Sequence, residues 1–400
     1  MALRVLRLGM VGGGSGAFIG SVHRMAARLD GHFVLTAGAF SSDPMRSVGD
    51  GVGLGLDPAR CYPDFESMAA REAERADRID AVAIVTPNDS HARIAKAFIL
   101  AGIHVICEKP LATSLEDACD LARLTEEQDP LLFLTHNYSG YPMVREAQAI
   151  TKAGKLGEIK VVQVEYVQDW LASRVEDSGH KQASWRTDPT RAGSTGSLSD
   201  LGSHAHHLVR FITGLEVESV SAELSSIVSG RRLDDHAQVM LRFDNGARGV
   251  LWTSQVCPGN ENALSIRVYG ERAGLAWSQE HPNQLKYTPL GEAPQIISRG
   301  LTNLSVASRN ATRLPSGHPE GYLEAFAQIY TDAAKLIQCK LSLEIAEELS
   351  DQVPTVSDGV RGLAFLDACL MSSRSEGRWT RVKSCVKPLK SGRQSAARKL

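Results

Sequence analysis

The chain has 400 residues, 43% of them hydrophobic and 22% charged, with a formal net charge of −2. That length supports two domains with cores of their own. The near-neutral charge gives no reason to expect nucleic acid or an acidic membrane as partner, and no apolar run approaches the ~20 residues needed to span a bilayer. The amino-terminal MALRVLRLGMVGGG runs straight into a strand and a glycine turn without a secretory signal, so a cytoplasmic location is expected. Seven scattered cysteines (Cys61, Cys107, Cys119, Cys257, Cys339, Cys369, Cys385) form no C-x-x-C pair and read as reduced thiols.

From residue 5 to about 135, strand and helix patterns alternate. Val5–Val11 predicts a strand, Phe18–Leu29 a helix and Phe33–Phe40 a second strand. A helical Glu66–Arg75 region precedes a strand at Ala81–Val85. A helix at His91–Ala101, a strand at Val105–Cys107, a helix at Leu115–Gln128 and a strand at Leu131–Thr135 follow. Apolar strands separated by amphipathic helices imply a doubly wound parallel sheet covered on both faces. After about residue 140 the rhythm changes. Ile159–Gln168, Val217–Ser226, Ala237–Phe243, Gly249–Val256 and Ser265–Tyr269 are β-rich, with Asp244-Asn245-Gly246 as a hairpin turn. Such a run reads as a large, mostly antiparallel sheet. Gly291–Arg313 reads as a long polar loop, and helices return at Gly321–Lys340 and Gly359–Ser373. The expected class is α/β, with units at residues 1–140 and 141–385. A basic tail over 386–400, carrying Lys387, Lys390, Arg393, Arg398 and Lys399, is expected to be disordered.

Gly12-Gly13-Gly14-Ser15-Gly16-Ala17 follows a strand and opens a helix, fitting G-x-G-x-x-A through Gly12, Gly14 and Ala17. Such glycines let the backbone approach a pyrophosphate that the helix N-terminus stabilises. Dinucleotide binding is therefore expected here, with Ser15, Gly16 and Phe18 in the same turn. At the end of the second strand, Ser41 stands where an acid would take the ribose 2′-hydroxyl of NAD. Ser41 and Ser42 would not repel a 2′-phosphate, and Arg46 could reach one. The cofactor is expected to be NAD(P), with NADP slightly favoured over NAD. Asp43 could instead begin a turn with Pro44, or serve the ribose from one step away. In Thr86-Pro87-Asn88-Asp89-Ser90-His91, Pro87 ends a strand and Asp89 or Ser90 can cap the next helix. That reading is compatible with Thr86, Pro87, Asn88 and His91 lining the cofactor.

Ile103–Pro110, IHVICEKP, puts the ammonium of Lys109 at the carboxyl end of a strand, where open parallel sheets bind ligands. A surface salt bridge with Glu108 is the plainer reading of that lysine. About ninety residues on comes Asp200-Leu-Gly-Ser-His204. In a helix over Leu198–Thr213, residues Leu201, Ala205, Leu208, Val209 and Ile212 make an apolar stripe, and Gly214 suits the end. Asp200, His204 and His207 share another face. A lysine, an aspartate and a histidine converging beside a nucleotide suggest hydride chemistry at a carbinol carbon; His204 alone would read as a satisfied helix histidine. The i, i+2, i+3 spacing of His204, His206 and His207 fans them round the helix, so no metal is expected.

With these pieces in order, the chain resembles the Gfo/Idh/MocA family of sugar and inositol oxidoreductases. The likeness rests on GMVGGGSGAFIG, AIVTPNDSHARIAKAFILAG, HVICEKPLATSLEDA, GSLSDLGSHAHHLVRFITG and a β-rich second half, over roughly residues 5–375. It implies a Rossmann-type first domain, a second α+β domain with a large open sheet, and a homodimer or homotetramer formed through that sheet. It makes Lys109 and His204 the polar pair at the reacting hydroxyl, with Asp200 orienting substrate and imidazole. Glu108 would help position the nicotinamide, the Lys109–Pro110 bond would be cis, and Asn137 beside Tyr138 would lie near substrate. Glu165-Tyr166-Val167-Gln168-Asp169-Trp170, Ser184-Trp185-Arg186 and the Gly-rich run before Asp200 resemble segments of pyranoside and anhydrosugar dehydrogenases, and indoles and polar groups suit a cyclic polyol. The plainer reading makes Trp170 and Trp185 part of the core. His318-Pro-Glu320-Gly-Tyr322 is a weaker candidate. A silent dinucleotide-sensing regulator, and a reductase of an imine, enal or tetrapyrrole, are the competing functions.

Overall fold

The computed structural model describes residues 4–342 and 351–386. The basic tail from residue 387 on lies outside them. Five strands form the first sheet: β1 (Leu6–Gly12), β2 (Phe33–Ala39), β3 (Ala81–Val85), β4 (His104–Cys107) and β5 (Leu132–Leu134). All pair in parallel in the order β2-β1-β3-β4-β5. β3 and β4 are buried at every position because helices cover both faces. Order reverses between β1 and β3, so the crevice beyond their carboxyl ends is the natural ligand site.

The second sheet has nine strands. They are β6 (Ile159–Val167), β7 (Val217–Ser225), β8 (His236–Phe243), β9 (Arg248–Ser254), β10 (Ala263–Gly270), β11 (Ala273–Ser278), β12 (Gln284–Pro289), β13 (Gln295–Ser298) and β14 (Thr380–Arg381). Their order is β13-β12-β11-β10-β6-β9-β8-β7-β14, antiparallel throughout except for β6 beside β9. Burial alternates along the strands. Val162, Val164, Leu251, Val239 and Val268 face the core, while Val161, Val250, Met240 and Tyr269 on the opposite face are 38–51% exposed. Gly246 makes the β8–β9 hairpin with a φ of 89°, as the Asn-Gly pair predicts.

The expected two-part α/β architecture is present, with several local differences. Pro44–Gly53 is a helix and not a simple turn, and Asp43 is occupied as its cap, accepting from Arg46 N at 2.7 Å, with Pro44 in the first turn. Pro142–Lys152, buried almost throughout, is a second helix absent from the sequence pattern. The supposed polar loop over 291–313 contains β13 and a short helix, Val306–Asn310. Ser90 does not cap its helix; its hydroxyl donates to Thr86 Oγ1 (2.6 Å) instead. The reduced state expected of every cysteine is also corrected: Cys119 and Cys385, 266 positions apart, are joined in a disulfide. Such a bond between distant single cysteines leaves no spacing signal.

Candidate active site

A cavity of about 1240 Å³ runs along the carboxyl ends of β1–β4 and under the second sheet. One end is built from backbone. β1 ends at Gly12 and the chain turns through Gly13 and Gly14 into the helix Phe18–Leu29. A Cβ on Gly13, whose φ is +72°, would meet the Gly20 backbone at 2.8 Å, so only glycine lets strand and helix pack this closely. Ala17, at the helix N-cap, supplies no side-chain cap, leaving first-turn N–H groups for an anion. Gly12, Gly14, Ser15, Ala17 and Phe18 line this end, as do Ser41, Ser42 and Arg46 after β2. So do Thr86, Pro87 and Asn88 after β3. Gly16 and His91 do not line the cavity. His91 is fully buried behind it, bonding the carbonyls of Pro110 (2.7 Å) and Thr86 (2.8 Å), and so ties two cleft loops together. These residues fit a dinucleotide.

The other end is built from side chains. Lys109 follows β4, and Lys109–Pro110 is cis as the family likeness implied. Its ammonium donates to Asp200 Oδ1 at 2.7 Å and Asp200 O at 2.8 Å, so the simple pairing with Glu108 does not form. Glu108 points elsewhere: its carboxylate accepts from Thr135 Oγ1 (2.6 Å) and bonds His23 Nε2 (2.9 Å). Burial opposes that charge, but the His23 bond and the nearby Lys109 hold the carboxyl below its ordinary range.

Asp200 lies in a π-type turn, Leu198–Gly202, that leads into the helix Ser203–Thr213. The predicted helix is thus widened at the position that carries the acid, a distortion common at functional sites. Asp234 clamps this turn, accepting from the backbone of Gly196 (2.6 Å) and Leu198 (2.8 Å). Asp200 also accepts from Arg186 Nε (3.2 Å) and Gln255 Nε2 (3.0 Å). Burial would push the Asp200 carboxyl up; Lys109 and Arg186 outweigh it and hold it well below the usual carboxylate range.

His204 lines the same wall as Lys109 and Asp200. Its ring stands edge-on to His136 (centroids 5.3 Å) and Tyr138 (4.9 Å), and Nδ1 is buried without a hydrogen-bond partner. Burial first, then the charge of Lys109 and the rings of His136 and His207, holds His204 well below 6.5, so it is neutral at pH 7. His207 stacks on His136 (4.4 Å) and His206 on Phe365 (4.4 Å), which is ordinary packing. Among the described residues no group of three or more His, Cys, Asp or Glu is placed to hold a metal.

Asn137, Tyr138, Gln168, Trp170, Trp185 and Arg186 all line the cavity. The Asn137 amide nitrogen is buried without a partner, a donor turned to the site. Trp170 Nε1 donates to Gln168 Oε1 (2.9 Å), and Gln168 Nε2 to Asn262 Oδ1 (2.6 Å). The Arg186 guanidinium lies 4.2 Å from the Trp185 ring centre. Asp169 does not line the cavity; its carbonyl accepts from Ala172 N in a turn. Of the weaker candidates, Tyr322 reaches the cavity, whereas Glu320 is buried in an ion pair with Arg299 (2.7 Å). Sequence reasoning missed Asn262, Gln279 and Asp50, which line the cavity but carry no local motif. Tyr166 also lines it, and the sequence singles it out only as part of the segment Glu165–Trp170.

Comparison with known proteins agrees with this geometry. Residues 6–136 match the oxidoreductase family with an NAD-binding Rossmann fold, and residues 144–276 match the GFO/IDH/MocA C-terminal domain. The chain is 36% identical to YfiI, an uncharacterized oxidoreductase of Bacillus subtilis, over 94% of this chain and 97% of that one. It is 26% identical to levoglucosan dehydrogenase of Pseudarthrobacter phenanthrenivorans, over 94% and 98% of the two chains. An inositol dehydrogenase homolog from Azotobacter vinelandii, solved with NAD⁺, superposes with a TM-score of 0.91 at 35% identity, covering 95% and 98%. The same homolog has been solved with NADH and myo-inositol. The chain belongs to the Gfo/Idh/MocA family of NAD-binding oxidoreductases.

Proposed function

We propose that the protein is an NAD(P)-dependent dehydrogenase of a cyclic polyol: a sugar, glycoside, anhydrosugar or inositol. The observation that carries this reading is the meeting of Lys109, Asp200 and neutral His204 on one wall of the cavity whose other end is the glycine turn. Bound dinucleotide would supply the hydride acceptor. The protein's own groups then have one task, to manage the hydroxyl from which hydride leaves. His204 keeps a free lone pair at neutral pH and takes the hydroxyl proton as the carbonyl forms. Lys109 stabilises the negative charge that develops on that oxygen. Asp200, held ionised by Lys109 and Arg186, fixes the ammonium and offers an acceptor to a substrate hydroxyl. The amides of Gln168 and Asn262 and the rings of Trp170 and Trp185 give the mixture of polar groups and flat apolar faces that a ring-shaped polyol needs. The named substrates of the relatives, levoglucosan and myo-inositol, belong to this class.

Self-association through the open face of the second sheet is part of the same proposal. Val161, Met240, Val250 and Tyr269 on adjacent strands place exposed apolar side chains on that face, among polar neighbours such as Gln163, Arg248 and Arg267. The test of function is reduction of NAD⁺ and NADP⁺ against a panel of inositols, aldoses, anhydrosugars and glycosides, with Lys109→Met as control. Turnover of one polyol group that disappears in the variant supports the reading. Tight dinucleotide binding with no turnover of any polyol would point to a sensing role and overturn it.

A further inference from the structure

Among the carboxylates that line the cavity without a part in the proposed chemistry, Asp50 is the one bonded to the glycine turn. Asp50 lies on the helix Pro44–Gly53, and its side chain is only 11% exposed. One carboxylate oxygen accepts from Ser15 N (3.0 Å), the other from Ser15 Oγ (2.5 Å). A Cβ on Gly14 would fall 2.2 Å from Asp50 Oδ2 and 2.8 Å from Phe40 O, so the carboxylate fits into the gap between the glycine turn and the end of β2. Arg46, one helical turn earlier, donates to Ser15 O (2.7 Å), and its Nε stands 3.8 Å from the same carboxylate. The Ser15 hydroxyl, above all, keeps Asp50 ionised, helped by Arg46 and by Lys181 from the second domain.

In this fold the gap between the glycine turn and the end of the second strand receives the adenosine ribose, and an acid at the strand end selects the free 2′-hydroxyl of NAD. Here the strand end reads Ser41-Ser42 and has no acid. We infer that Asp50 supplies the missing carboxylate from the following helix and makes this enzyme select NAD over NADP. The Ser15 N–H, the Ser15 hydroxyl and Arg46 form an anion seat that could hold a 2′-phosphate, but the protein's own carboxylate already occupies it. A ribose hydroxyl can donate to Asp50. A 2′-phosphate, with ~1.5 to 2 negative charges, meets an ionised group where it needs donors. This reverses the lean towards NADP that Ser41 and Arg46 suggest in the sequence.

The test is calorimetric binding of NAD⁺, NADP⁺ and 2′,5′-ADP to the full chain without substrate, so its outcome does not depend on the polyol reading. The wild-type protein should bind NAD⁺ at least about tenfold more tightly than NADP⁺. In Asp50→Ser, affinity for NADP⁺ and 2′,5′-ADP should rise about tenfold, with a smaller rise in Asp50→Asn. Adding Arg46→Ala to Asp50→Ser should remove the gain, and Asp50→Glu should keep the NAD preference. Equal affinities of the wild-type protein for the two dinucleotides would overturn the inference without any variant. So would an NAD preference that persists in both Asp50→Ser and Asp50→Asn.

Discussion

The two ends of the cleft are made from different materials. At the dinucleotide end, a single turn of chain, Gly12 to Ala17, presents backbone groups, and its shape is fixed by what the glycines lack. At the other end, Lys109, Gln255 and the pair Arg186 and Asp200 come from three distant stretches and meet in one hydrogen-bonded knot. A backbone site tolerates side-chain changes around it but not an added Cβ. A side-chain knot tolerates backbone variation but fails when one charge is removed and its partner is left buried.

The largest effect expected is at the knot. Lys109→Met removes the cation assigned in the proposal to the reacting oxygen and leaves Asp200 with Arg186 as its remaining ion-pair partner. Turnover should fall by roughly 10²–10³-fold, while dinucleotide affinity, measured by calorimetry, changes little. Undiminished turnover would remove Lys109 from the mechanism. The converse break is Gly20→Ala, whose Cβ would sit 2.3 Å from the Gly13 backbone. It should destabilise the fold by about 1–3 kcal/mol and weaken the dinucleotide with little change in substrate KM. Equal dinucleotide affinity in that variant would show that the turn can relax. Arg186→Lys sharpens the contrast at the knot, because a lysine cannot both stack on Trp185 and bond Asp200 and Gln182 in one plane. Polyol KM should rise roughly tenfold, with kcat less affected; an unchanged KM would place Arg186 outside the substrate contacts.

The same contrast explains what could be read in the sequence. The glycine turn, the Glu-Lys-Pro strand end and the Asp-x-x-x-His helix are legible because each is a local spacing imposed by local geometry. The parallel-sheet strands buried at every position, β3, β4 and β5, announce themselves as short runs that are apolar but for His104. Asp50 was not legible: it sits on a short helix with three glycines and no motif, and its partner Ser15 lies 35 positions away. Asn262 and Gln279 reach the cleft only because β10 and β11 place their ends there. His91 has a cleft motif's position but faces the protein interior, where its ring packs between the carbonyls of Pro110 and Thr86 and donates to one of them.

The smallest effect expected comes from the histidines behind the knot. Burial holds His136, His204 and His206 well below 6.5 and His207 down at about 4. Each is neutral in the folded protein and free to take a proton when unfolded. With folded values depressed, their contribution to stability is complete above pH 6.5. It is lost as the pH falls from 6.5 towards the folded values, since the unfolded chain then binds more protons. Asp234 works the other way. Burial raises it to about 6, so its penalty is relieved as the pH falls through that value. Four histidines against one aspartate leave a net loss on acidification. Each histidine adds at most about 1.4 kcal/mol per pH unit to the slope. His207, which stacks on His136 and does not line the cavity, isolates that share: His207→Phe should flatten the fall in unfolding free energy between pH 6.5 and 5 by up to about 1.4 kcal/mol per pH unit. An unchanged slope would mean that His207 is protonated in the folded protein, with Asp358 rather than burial deciding its charge.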